Sequence, residues 1–252
     1  MDKRIDYKIV IDTETCPMDK DFEGVSPFNM WTYDIGWAVV DRKGKVYRTR
    51  SFIAREIFCQ ERQLMKSAYY ASKIPMYIRQ IAEKQRTIED FYKIKMTLWD
   101  DMAEFGVTQV YAHNMRFDYN TLNNTQRWLS KSKYRYFFPY GTEICDTLSM
   151  ARDVIAKQPT YKKFCTENGY VLKNGACRLT AEILYRYISG DNTFEEKHTG
   201  IEDVLIEKEI MAYCYRQHKP MKRLLWAENL EDKEDDVFYA SPLKVRYQTM
   251  KR

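Results

Sequence analysis

The sequence predicts an α/β fold, a mixed β-sheet flanked by α-helices. Three observations lead there. Short apolar runs closed by turn residues open the chain. Helical spacing takes over in the middle. The two signals then alternate, giving the order β-β-β-α-β-α-β-α. A length of 252 residues favours one elaborated domain over two.

The elements follow in order. Residues 7–12 carry Ile9, Val10 and Ile11 and end on Asp12, a buried strand closing on a carboxylate. Residues 34–40 read as a second strand. Asp41, Arg42, Lys43 and Gly44 make a turn, and residues 45–53 return as a third strand. From 55 to 105 the pattern is helical, with Phe91, Ile94, Leu98, Met102 and Phe105 on one face, and Pro75 divides the region into at least two helices. Residues 108–112 form a short strand, and a helix runs on to about 129. Residues 143–146 form another strand, with a helix after it to about 156. Asn168-Gly169 and Asn174-Gly175 mark turns around residues 170–172. Residues 178–188 and 200–216 are the last helices. The expected division is a domain over 1–220 and a charged extension over 221–252, with a solvated acidic run at 231–236.

Composition removes several classes. The chain is 44% hydrophobic and 31% charged, with nine Gly and seven Pro, so collagen-like and Gly/Pro-rich disordered chains are excluded. No run of about 18 apolar residues is present, so no membrane span is expected. The first residues lack an apolar signal core, and a cytoplasmic location is expected. None of the six Cys forms a Cys-x-x-Cys pair, which excludes a zinc ribbon and leaves reduced thiols as the expectation. The net charge of +5 is compatible with nucleic acid without requiring it. Twenty Tyr offer rings that stack on unpaired bases at about 1–3 kcal/mol each, although a biased genome composition explains them equally.

Three acidic clusters sit at element ends. Asp12 and Glu14 lie at i and i+2 after the first strand and so project to one side. Paired carboxylates there repel unless a divalent cation neutralises them; alone, they are equally a pair of solvated turn acids. Next come His113, Asn114, Phe117 and Asp118, between a strand and a helix, with Asn114 placed to cap that helix and Asp118 to reach back over the sheet edge. The third is His198 with Asp203. Thr199 and Glu202 make a capping box, so a helix starts near Gly200, with His198 on a flexible approach loop. Alone, Asp203 does no more than favour the helix dipole.

Together these clusters resemble the Asp-Glu-Asp-Asp-His (DEDDh) 3′→5′ exonucleases, the superfamily of proofreading exonucleases and ribonuclease T. The matching positions are Asp12 and Glu14, Asp118, and His198 with Asp203, in that order and over roughly residues 5–217. The strand and helix around Asp146 also look like that family. A chain without a polymerase module is most similar to stand-alone, phage-encoded members. The resemblance implies an RNase H-like fold and two Mg²⁺ or Mn²⁺ ions held by Asp12, Glu14, Asp118 and Asp203, with His198 as general base. It places Thr13, Asn114 and Phe117 at the substrate. The implied reaction releases nucleoside 5′-monophosphates from a single-stranded DNA 3′ end. An RNA-trimming enzyme and a catalytically weak end-binding module are the alternatives. An interaction protein that uses the acidic tail is a further rival. The sequence identifies no protein partner, polymerase or replication protein included.

Two further segments are substrate-contact candidates. Residues 131–138 interleave cations with aromatics, which suits either a strand-tracking strip or an edge strand with one buried face. Phe22, Phe28, Met30 and Trp31 form either an apolar wedge at the terminal nucleotide or a cover for the sheet.

Overall fold

The computed structural model describes residues 2, 4–19, 28–133 and 135–226. Three long strands open the chain: β1 (Lys8–Pro17), β2 (Met30–Val40) and β3 (Val46–Ala54). A π-helical turn at Glu56–Gln60, α1 (Arg62–Met65), a 3₁₀ turn at Ala71–Lys73 and α2 (Ile74–Ala82) follow. Then come β4 (Thr87–Glu89), α3 (Phe91–Phe105), β5 (Gln109–Ala112), α4 (Met115–Ser130), β6 (Glu143–Asp146) and α5 (Thr147–Val154). The last helices are α6 (Pro159–Glu167), α7 (Ala181–Ser189) and α8 (Gly200–Arg216).

The six strands form one mixed sheet in the order β4-β3-β2-β1-β5-β6. β1, β2 and β3 are antiparallel neighbours, while β4, β5 and β6 pair in parallel. Every residue of β2 is buried, as a central strand covered on both faces must be. Alternate residues of β1 feed two cores. Ile9 and Ile11 pack with Phe91, Leu98, Met115 and Leu122 of α3 and α4. Val10 packs with Met150, Val204, Ile210 and Met211 of α5 and α8. Residues at 12 and 14 therefore face α8, and residue 13 faces α4.

Gly36 on β2 lets α8 approach, because a Cβ there would lie 2.3 Å from the Ile201 amide nitrogen. Residues 223–225 add an antiparallel stretch outside β6: Leu225 N–H donates to Ile144 O at 2.8 Å, and Asp146 N–H to Arg223 O at 2.8 Å. The start of the charged extension thus covers the sheet edge, and the acidic run at 231–236 lies outside the described residues.

Several expectations change. The β4 strand interrupts the stretch read as helical; its three residues are too few to show alternation. Pro75 stands in the first turn of α2, where its missing N–H costs nothing, so it starts a helix. α6 also opens on a proline, Pro159. Among the described residues 131–133 and 135–138 no strand forms. Phe137 and Phe138 are buried, and Phe137 N–H donates to Asn123 Oδ1 at 2.9 Å, which anchors a loop; Tyr134 lies outside the described residues. Met30 and Trp31 neither cover the sheet nor stand free as a wedge: they open β2 and are buried, Trp31 packing 4.3 Å from Trp128, while Phe28 is exposed and Phe22 lies outside the described residues. All six cysteines are free thiols. Among the described residues no helix is long and apolar enough to cross a membrane.

Candidate active site

β5 ends at Ala112, while β1 runs on to Pro17. Beyond that end the neighbouring strand is missing, and a crevice opens beside Asp12 and Glu14. Open α/β sheets bind ligands at such places, outside the carboxyl ends of parallel strands. A cleft of 570 Å³ lies here, lined by Asp12, His113, Asn114, His198, Asp203 and Glu207 among others.

Three elements deliver the acids. Asp12 and Glu14 come from β1, on the face that meets α8. Asp203 comes from the first turn of α8, and oxygens of Asp12, Glu14 and Asp203 lie within 4.8 Å of one another. Asp118 comes from the first turn of α4 and is buried; Thr13 Oγ1 donates to its Oδ1 at 2.7 Å. The Thr13 hydroxyl thus holds Asp118 in place, and only its main chain is left to meet a substrate. Asn114 is exposed in the cleft wall, and Phe117 is half-buried in the first turn of α4.

These charges repel strongly. Burial, then Glu207, Asp118, Asp203 and Glu14, push the Asp12 carboxyl well above the usual range. Burial followed by Asp34 and Asp203 pushes Glu14 up to about 9. Burial dominates in raising Asp203 to about 8, with Glu196 adding to it. Burial also raises Asp118 to about 7, against the Thr13 hydrogen bond. Hard oxygen donors whose mutual repulsion opposes their ionisation could hold a metal ion.

The start of α8 is held differently from the expected capping box. Thr199 Oγ1 donates to Glu202 Oε2 at 2.6 Å and caps no amide. The Thr199 N–H instead donates to Asp203 Oδ2 at 3.0 Å, so the site carboxylate takes over the return half of the cap. Asp34 accepts the Gly200 N–H at 3.1 Å, the Tyr77 hydroxyl at 2.8 Å and the Arg86 guanidinium at 3.1 Å. Arg86 also donates to Glu202 Oε2 at 2.6 Å. Asn114 occupies the cap position of α4 in a left-handed conformation without capping it. Asp146 does that work, accepting the N–H groups of Asn114 and Met115 while also capping α5 through Leu148 and Ser149.

His198 stands just before α8 with φ +50°, its ring 3.6 Å from Glu196 through Nδ1. Its approach loop is tied down, contrary to the flexible loop expected. Tyr70 stacks on the imidazole and Lys73 Nζ donates to the Lys197 and His198 carbonyls. Burial, then Lys73, hold its imidazole below the ordinary range, which favours the neutral form. His113 is a half-buried histidine whose ring nitrogens are both engaged, with Thr147 Oγ1 at 3.0 Å and Leu179 O at 2.7 Å.

All five motif residues thus converge. The sequence reading missed Glu196 and Glu207. Glu196, His198 and Asp203 have donor atoms within 4.8 Å of one another, and burial raises Glu196 to about 7. Glu207 is buried and accepts the His113 N–H at 3.1 Å. One signal pointed to it: it follows Asp203 by four residues, on the same face of α8.

A mixed sheet flanked by helices, with carboxylates gathered at the C-terminal ends of its parallel strands, defines an RNase H-like α/β fold. No family model and no curated protein matches the sequence. Solved structures do match in fold. The nuclease domain of 3′hExo, a DEDDh family member bound to rAMP, superposes with a TM-score of 0.55 at 14% identity, covering 91% of this chain and 100% of that one. Cell-death related nuclease 4 (CRN-4) gives 0.54 at 11% identity, covering 97% and 77%. E. coli exonuclease I in complex with an oligonucleotide gives 0.50 at 12% identity, over 86% of this chain and 41% of that one. The chain has the fold of the DEDDh 3′–5′ exonucleases, and it spans less than half of exonuclease I.

Proposed function

We propose that this protein is a metal-dependent 3′→5′ exonuclease that releases nucleoside 5′-monophosphates from single-stranded DNA ends. One observation carries the reading: donor atoms of Asp12, Glu14 and Asp203 within 4.8 Å, from two elements far apart in sequence. Asp118 leans on the same strand through Thr13, and His198 borders the cluster.

The donor set fits two Mg²⁺ or Mn²⁺ ions. Asp12 shares the cluster with Glu14 and Asp203 and also feels the charge of Asp118, so it would contribute to holding both ions. Glu14 and Asp203 would complete one ion and Asp118 would support the other. When bound, such a pair would supply charge to stabilise the attacking and leaving oxygens of an in-line displacement. His198, kept neutral, takes the proton of the attacking water. The new P–O bond forms as the bond to the preceding 3′ oxygen breaks, and the terminal nucleotide leaves as a 5′-monophosphate. Asn114, exposed in the cleft, and Phe117, half-buried in the first turn of α4, would meet that nucleotide.

The preference for DNA draws support from the exonuclease I relative solved with an oligonucleotide. The 3′hExo domain bound to rAMP favours a second reading, an exoribonuclease on the same site. Digestion of 3′-labelled and 5′-labelled single-stranded DNA and RNA with Mg²⁺ tests both. Label from 3′-labelled DNA should appear at once as mononucleotide, 5′-labelled DNA should shorten stepwise, and EDTA should stop both. Endonucleolytic fragments, or no cleavage of either polymer with Mg²⁺ or Mn²⁺, would refute the reading.

A further inference from the structure

We propose that Tyr70 and Lys73, from the segment before α2, are positioning residues that hold the His198 imidazole and its loop in working geometry. The inference rests on the exonuclease reading, since it says how that site's base is kept in place.

Nothing in the regular structure fixes this histidine. Residues 191–199 carry no helix or strand, and His198 adopts φ +50°, which a residue with a Cβ holds only when its surroundings impose it. The constraint comes from residues more than a hundred positions earlier. Lys73 Nζ donates to the His198 carbonyl at 2.9 Å and also to the Lys197 carbonyl. The Tyr70 ring stacks on the imidazole, centroids 4.7 Å apart and planes 13° from parallel. Lys73 Nζ lies 4.3 Å over the Tyr70 ring, so cation, ring and imidazole form one assembly.

Each contact has a separate effect. The ammonium fixes the two carbonyls that flank the His198 Cα, in the 197–198 and 198–199 peptide units. The stacked ring fixes the plane of the imidazole and leaves its edge, with Nδ1 toward Glu196, on the side of the carboxylates. A base must lie within hydrogen-bond reach of the proton it takes, and a misplacement of 1 Å is enough to cost about 10²-fold in rate. A histidine on a short irregular loop meets that tolerance only with such a clamp.

The test uses the whole chain. Only three histidines are present, so the His198 ring signals in a ¹H–¹³C spectrum are assigned by their loss in His198→Ala. The ring current of Tyr70 should displace them upfield. Tyr70→Phe should keep that displacement and Tyr70→Leu should abolish it. Lys73→Met should shift and broaden the signals, and Lys73→Arg should restore them in part. In kinetics, Tyr70→Leu and Lys73→Met should lower kcat about 10²-fold with KM unchanged, while Tyr70→Phe stays near wild type. His198 signals that ignore both disruptive variants, or an unchanged kcat in both, would overturn the clamp. A wild-type chain that cleaves nothing would sink the exonuclease reading, while the ring displacement would still decide whether the clamp exists.

Discussion

Asp203 serves two ends at once. One of its oxygens accepts the Thr199 N–H and so helps begin α8, while the carboxylate also faces Asp12 and Glu14. Asparagine keeps a side-chain oxygen for the N–H but carries no negative charge. Asp203→Asn should therefore fold and lose nuclease activity, as should Asp12→Asn; circular dichroism and a Mg²⁺-dependent digest check the two halves. Wild-type turnover in either variant would defeat the metal assignment. His198 differs in that it touches the reaction through a proton. His198→Ala should retain metal binding and slow the reaction by about 10²–10⁴-fold. A variant at full rate would put the base elsewhere, with Glu196 the next group in reach.

At the scale of elements, the site depends on how α8 is fastened to β2. Gly36 admits the helix, and Asp34, two residues earlier, accepts the Gly200 N–H. Arg86 then neutralises Asp34 and reaches Glu202, tying three parts of the chain with side chains that are almost fully buried at Arg86 and Asp34. Removing one partner of a buried ion pair leaves the other charged and unpaired. Arg86→Met should cost about 3–5 kcal/mol of unfolding free energy, read from urea titration. A loss below about 1 kcal/mol would show that Tyr77 and the Gly200 amide satisfy Asp34 alone. These ties also explain what was legible. The motif acids stand at strand ends and helix starts, where apolar periodicity stops and a charged residue stands out. Arg86, Lys73 and Tyr70 lie in a Lys- and Arg-rich stretch that reads equally as a solvated face. Their roles come from tertiary contacts more than a hundred residues away, which no local pattern encodes. Glu207 was legible in principle through its spacing from Asp203. Its burial against the His113 amide was not, since that depends on where β5 ends.

For the molecule as a whole, the gathered carboxylates set a pH dependence that metal should reverse. A carboxyl raised on folding keeps its proton in the native state while the unfolded chain has released it. Stability then falls as pH rises from the unfolded value near 4 to the folded one. The window closes near 7 for Asp118 and Glu196, near 8 for Asp203 and near 9 for Glu14, with Asp12 and Glu207 raised in the same direction. Below about 6.5, His113 and His198 act with the opposite sign, because imidazoles lowered by burial gain stability as pH rises. Above about 8.5, the buried thiols of Cys16, Cys145 and Cys214 add a loss of the same sign as the acids. The carboxylates are therefore best isolated between pH 7 and 9, as the difference between melting curves taken with Mn²⁺ and with EDTA. In EDTA the Tm should drop across that interval. Mn²⁺ should raise it, and by more at pH 9 than at pH 7, because a cation binds the ionised forms and at the higher pH fewer protons must leave to admit it. Asp203→Asn should shrink that gap. A gap that is absent, or as wide at pH 7 as at pH 9, would mean that the acids are neutralised from within the protein and that the crevice was not built around metal.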